Sequence, residues 1–156
     1  MKRVAIFLMG SLAALVALSP GLACAGDDGG MVAGAGAGVF PAGALFAGIS
    51  LSRLEFGLGV LTAPDGAASG AFHAVLHGTS PIGQSQPVSV DGKVNAGGVA
   101  GIGSFSGTAM VNLGDGTVPL PGVPFQVSVS PDGLQLTLDA LLLPAVAVSS
   151  GAIAIE

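Results

Sequence analysis

Two histidines four residues apart, His73 and His77, are the residues whose spacing first suggests chemistry. On a helix that spacing puts two imidazoles on one face, where they can share a zinc ion, and a metalloprotease adds a glutamate after the first histidine as general base. Here Ala74 takes that place and cannot accept a proton. On a strand the two rings share a face but stand about 13 Å apart, at about 3.3 Å of rise per residue. That is too far for one ion whose metal–nitrogen bonds are about 2 Å. The local pattern is a strand pattern, so both histidines are expected to face solvent without a metal.

Other reactive residue types fare no better. Gly103-Ser104-Phe105-Ser106-Gly107 looks superficially like a hydrolase nucleophile elbow, but the elbow needs serine in the middle, and the middle residue is Phe105. Beyond the Asp27-Asp28 pair near the start, single acids precede glycines at Asp65, Asp91, Asp115 and Asp132. A calcium loop gathers several oxygen ligands within about a dozen residues, whereas these acids are isolated singles, so each is expected to shape a turn. Gly34-Ala35-Gly36-Ala37-Gly38 lacks the preceding strand and following helix of a dinucleotide fingerprint, and Phe40-Pro41 interrupts any helix there. No catalytic, cofactor-binding or metal-binding set can be assembled, and no cofactor is expected.

The remaining candidate is Cys24, and it belongs to a targeting segment. Lys2 and Arg3, the apolar run Val4–Leu18, Pro20 and the small residues Ala23-Cys24-Ala25 follow the order of an export signal. A spanning helix needs about 20 apolar residues, and this run is shorter and broken by Gly10 and Ser11. Residues 1–25 are therefore expected to be a cleaved signal peptide, which places the protein in the secreted, periplasmic or cell-envelope space. Leu22-Ala23-Cys24 partly resembles a lipoprotein cleavage motif, although Gly21 stands where an aliphatic residue is usual. Lipidation at Cys24 is the alternative, and the one route by which this chain would be held at a membrane. After cleavage at Ala25 no cysteine remains to form a disulfide.

Charge narrows the partners. Loss of Lys2 and Arg3 leaves Arg53 and Lys93 against nine acids, a balance of 2 − 9 = −7. No basic footprint for nucleic acid exists, and anionic lipid would be repelled. Charged residues make up 8% of the chain, against roughly 25% in ordinary soluble domains, so solubility falls to Ser, Thr, Asn, Gln and backbone. The partner expected is an envelope or extracellular one, of unknown identity.

The elements that would position any site are strands. After an expected Gly/Ala-rich flexible leader over residues 26–48, apolar residues recur at every second position through a β-domain spanning 49–156. Leu54, Phe56, Leu58 and Val60 share one face, and Ala63-Pro64-Asp65-Gly66 supplies a turn. Phe72, Ala74 and Leu76 return, and Val88 and Val90 lead into Asp91-Gly92, which reads as a hairpin turn. Phe105, Gly107, Ala109, Val111 and Leu113 alternate with polar or slender neighbours, as do Phe125, Val127 and Val129, and then Leu134, Leu136 and Leu138. The phase slips between Leu51 and Leu54, which predicts a bulge near Arg53. Residues 139–148 read as strand, turn, strand. The fold predicted is all-β, a single antiparallel sandwich or small barrel of 7–9 strands.

Several pieces carry a family resemblance: Glu55-Phe56-Gly57-Leu58, Gly70-Ala71-Phe72, Val90-Asp91-Gly92, Gly103 to Ala109, Pro121 to Val127 and Ser150 to Ile155. In order and spacing they resemble the small secreted bacterial β-domain found beside the choice-of-anchor modules of surface proteins, over residues 54–156. Members often carry an acid before the phenylalanine of the fifth piece, where this chain has Pro124. The resemblance implies an exported β-domain without assigned chemistry. The function expected is a non-catalytic structural or binding module of the bacterial cell exterior. The alternative is a carrier holding one small apolar ligand inside a barrel, as barrels of about eight strands can.

Overall fold

A computed structural model describes residues 29–99 and 102–156; the signal segment and Cys24 lie outside the described residues. Ten strands follow in order: β1 (Gly30–Val39), β2 (Leu45–Phe46), β3 (Ile49–Thr62), β4 (Ala67–Thr79), β5 (Val88–Val99), β6 (Gly103–Asn112), β7 (Leu120–Ser130), β8 (Gly133–Leu138), β9 (Leu141–Leu142) and β10 (Val146–Ile155). All pairings are antiparallel. Strands β3 to β8 form a meander, β10 joins β8 to β1, and β1 pairs back onto β3, so the sheet closes into a ring. The ring is not a regular barrel. Strand β10 meets β8 at two register pairs, Val146 with Leu134 and Ala147 with Gly133, while the short β9 covers Thr137 and Leu138 on the upper part of the same strand.

The all-β expectation is met, with two strands of only two residues beyond the eight that make the ring. The predicted bulge is present, since the β3–β4 register shifts between Leu51 and Arg53. Two expectations need correction. Residues 29–48, the described part of the leader expected over 26–48, are not flexible: β1 and β2 fall within them, and β1 pairs along its length with β3 on one side and β10 on the other. Asp91-Gly92 is not a turn, because β5 runs straight through it.

Both corrections have one physical cause. Closing a ring of about eight strands leaves an interior that side chains must fill without colliding, and small residues opposite large ones solve this. Gly36 pairs with Phe56, and a Cβ on Gly36 would stand 3.2 Å from the ring of Phe56 and nearer still to the main-chain carbonyl of Ser150 on β10. Gly34 lies under Ile153 in the same way, with Cγ1 at 3.1 Å. Gly92 is buried beneath Phe125, where a Cβ would come within 2.7 Å of the ring, and Gly107 meets that ring from the next strand. The hollow over Gly92 and Gly107 lets Phe125 on β7 stack on Phe72 on β4, with centroids 5.6 Å apart and planes 19° apart.

Around this stack the core includes Leu54, Leu76, Phe105, Val127, Leu136 and Leu138, all at most 2% exposed. The outward positions of β6 to β8 carry Ser104, Ser106, Thr108, Ser128, Gln135 and Thr137. Apolar-in and polar-out is the reverse of the alternation in a membrane-spanning barrel. Turn chemistry works as read at Asp65-Gly66: Gly66 has φ 81°, and Asp65 Oδ1 accepts a hydrogen bond from the Ala67 amide at 3.0 Å.

Two substitutions test this packing. Gly92→Ala should destabilise the fold by about 1–3 kcal/mol, because the Phe125 ring must move. Gly57→Ala, whose Cβ would meet nothing within 4 Å, should be neutral or slightly stabilising. Urea denaturation midpoints of the two variants against the parent chain check the pair.

Candidate functional site

Ionisable side chains gather on the outer face of three neighbouring strands. Arg53 and Glu55 come from β3, His73 and His77 from β4, and Asp91 and Lys93 from β5. Cross-strand register brings them together: Arg53 lies opposite His77, and the row Gly57, His73, Asp91 crosses all three strands. His73 Nδ1 sits 2.6 Å from Asp91 Oδ1, His77 Nε2 is 3.6 Å from Glu55 Oε1, and Arg53 reaches the same Glu55 oxygen at 3.2 Å. The two histidines therefore face outward on one strand, each beside a carboxylate of a different neighbour. Among the described residues no three His, Cys, Asp or Glu side chains converge as metal ligands.

An open depression of about 450 Å³ adjoins this patch, walled by Arg53, Glu55 and His73 and floored by Gly36 and Gly57. Its existence follows from the bare glycine at position 57, above which there is open space. An imidazole held by a carboxylate is half of a catalytic triad, but the triad also needs a hydroxyl within hydrogen-bond reach. Ser150, on the far side of the depression, belongs to β10, three strand spacings from β4, or about 14 Å. The Arg53–Glu55 ion pair is about half exposed, and pairs of that kind contribute about 0–1 kcal/mol.

The other residues singled out by sequence stand apart. Ser104 and Ser106 face outward on β6, where Gln126 Nε2 donates to Ser104 Oγ at 3.4 Å, while Phe105 between them is buried. Asp115 is bound to its own turn: Thr117 donates its hydroxyl at 2.6 Å and its amide at 2.9 Å to Oδ1. Those hydrogen bonds, the hydroxyl foremost, hold the Asp115 carboxyl below its ordinary value.

A second region was not legible in the sequence. At the end of the ring where β2, β9 and the β6–β7 connection meet, an opening of about 260 Å³ descends to Val111 and Leu138, which are core residues. Phe46 and Val123 form its walls, and Leu120 and Leu141 stand half-exposed at its rim. Three non-glycine residues of positive φ occur among the described residues, Ala47 (49°), Asp139 (46°) and Ala140 (64°). Ala47 and Asp139 line this mouth, and Ala140 lies between Asp139 and Leu141. An alanine in that conformation costs about 1–2 kcal/mol, and such strain concentrates where a site is held in shape. The available signal was apolar residues at turns, Leu45-Phe46 and Leu141-Leu142-Leu143, where polar ones are usual.

Asp115 yields a prediction with a definite sign. A carboxyl lowered in the folded state stabilises above its ordinary value, and that stabilisation is lost as pH falls through the lowered one. Thr117→Val should raise the Asp115 midpoint toward the ordinary carboxylate range in a carboxyl-carbon NMR titration; an unmoved midpoint would show that the hydroxyl contributes nothing. Comparison of the chain with protein-family models, with characterised proteins and with solved structures finds no match to any of them.

Proposed function

We propose that the protein is an exported, non-catalytic β-module that serves a structural or binding role at the bacterial cell exterior, in the setting of the surface-protein β-domains its pieces resemble. The observation that carries this reading is the interior: Phe56, Phe72, Phe105 and Phe125 are buried there, and glycines make room for the rings. A ring filled in this way is a rigid body whose exterior is left to meet other molecules. It also weighs against the alternative of a ligand carried inside the barrel, since the Phe72–Phe125 stack occupies that space. The His73 imidazole is engaged by Asp91 rather than by a hydroxyl, and His77 Nε2 has no hydrogen-bond partner among the described residues, in keeping with a module that holds rather than transforms its partner. Its acidic surface favours neutral or cationic partners over nucleic acid.

Expression of the tagged full-length chain in a bacterial host, followed by fractionation and mass spectrometry of its N-terminus, tests the placement. The expected product begins at Gly26 and lies outside the cytoplasm, where native capture from the envelope recovers a bound partner. An acylated Cys24 would convert the module to a membrane-held one, and an unprocessed cytoplasmic chain would refute the reading.

A further inference from the structure

The apolar mouth carries a charge that its surroundings do not neutralise. Beneath the mouth lie the buried Val111 and Leu138, and the apolar surface it offers is that of the partly buried Phe46, Leu113 and Val123, so anything seated there covers side chains that water otherwise reaches. The charged residue among those lining it is Asp139. The two basic residues of the described chain, Arg53 and Lys93, lie instead on the outer faces of β3 and β5. The main-chain amide of Asp139 is spent on the carbonyl of Pro124 at 2.9 Å, which fixes the residue in its left-handed conformation at the rim.

We propose that this mouth binds a small apolar molecule bearing a cationic or hydrogen-bond-donating nitrogen, its apolar body against Phe46, Leu113 and Val123 and its nitrogen beside Asp139. The volume of about 260 Å³ sets the size. Pockets that engulf drug-sized ligands run from about 300 to 1,000 Å³, so the occupant is a short alkyl chain or a compact ring system with one end at the rim. Charge complementarity selects its class, since a carboxylate beside apolar walls attracts an amine and repels a fatty acid of equal length. The same carboxylate disfavours an anionic lipid surface at this end. Ala47, Asp139 and Ala140 hold positive φ beside the opening, backbone strain of the kind that concentrates at sites held in shape. This inference goes beyond the exterior-module reading and does not depend on where the chain acts.

The test uses the full processed chain and the fluorescent probe N-phenyl-1-naphthylamine, with octylammonium and octanoate as competitors. Probe emission should rise on mixing, and octylammonium should displace the probe at a concentration about tenfold below that of octanoate. Asp139→Asn should erase that preference while leaving circular dichroism and thermal unfolding unchanged, because asparagine tolerates positive φ at least as well as aspartate. Leu141→Ser should weaken probe binding severalfold. The proposal is overturned by a folded parent chain that leaves probe emission flat, by equal displacement by the two competitors, or by a preference that survives Asp139→Asn. Sedimentation showing that the mouth is closed by a second copy, with probe binding lost on dimerisation, would overturn it too. Any of these failures leaves the envelope result untouched, so the two readings fail separately.

Discussion

A phenylalanine ring laid over a glycine backbone is the contact on which this structure depends. A closed sheet of eight long strands has little interior, and every inward side chain competes for it. The chain resolves the competition by placing glycine where an aromatic ring arrives. Gly36 receives Phe56, and Gly92 with Gly107 receives Phe125, which reaches across to Phe72. Without that arrangement the ring could close only by pushing rings off their rotamers. With it, a chain that has no tryptophan, no tyrosine and no disulfide in its described part still has a filled core.

The same contact explains which parts of the fold could be read from residues alone. Leu54 to Val60, Phe105 to Val111 and Leu134 to Leu138 announce themselves because large apolar side chains mark the inward face at every second position. The phase slip between Leu51 and Leu54 was visible for the same reason. The Ala-Gly run of β1 was not, since glycine at inward positions looks like absence of pattern. Its role appears only once Phe56 and Ile153, distant in sequence, are brought over it. Asp91-Gly92 misled similarly: the dipeptide favours a turn locally, but burial of Gly92 under Phe125 overrides that preference.

The surface was legible in part. Strand spacing separates His73 from His77, and in the fold each imidazole stands beside a carboxylate of a different neighbouring strand. The identity of those carboxylates depends on cross-strand register, which a single sequence does not reveal. The apolar mouth was still less visible, because Phe46, Val123 and the segment Leu138–Leu141 are apart in the chain and meet only at the end of the ring where β2 and β9 lie. What sequence did convey is the scarcity of charge, and it is this scarcity that makes Asp139 prominent among apolar neighbours.

Amide hydrogen exchange across residues 31–39, followed by NMR, tests the central claim most directly. A strand paired on both sides has its successive amides bonded alternately to β3 and β10, so all of them should exchange slowly, at rates matching the middle of β3. Protection of every second amide would mean that β1 is an open edge. Exchange at unfolded-chain rates throughout would mean that the glycine run does not close the ring, and the account would fail at its foundation.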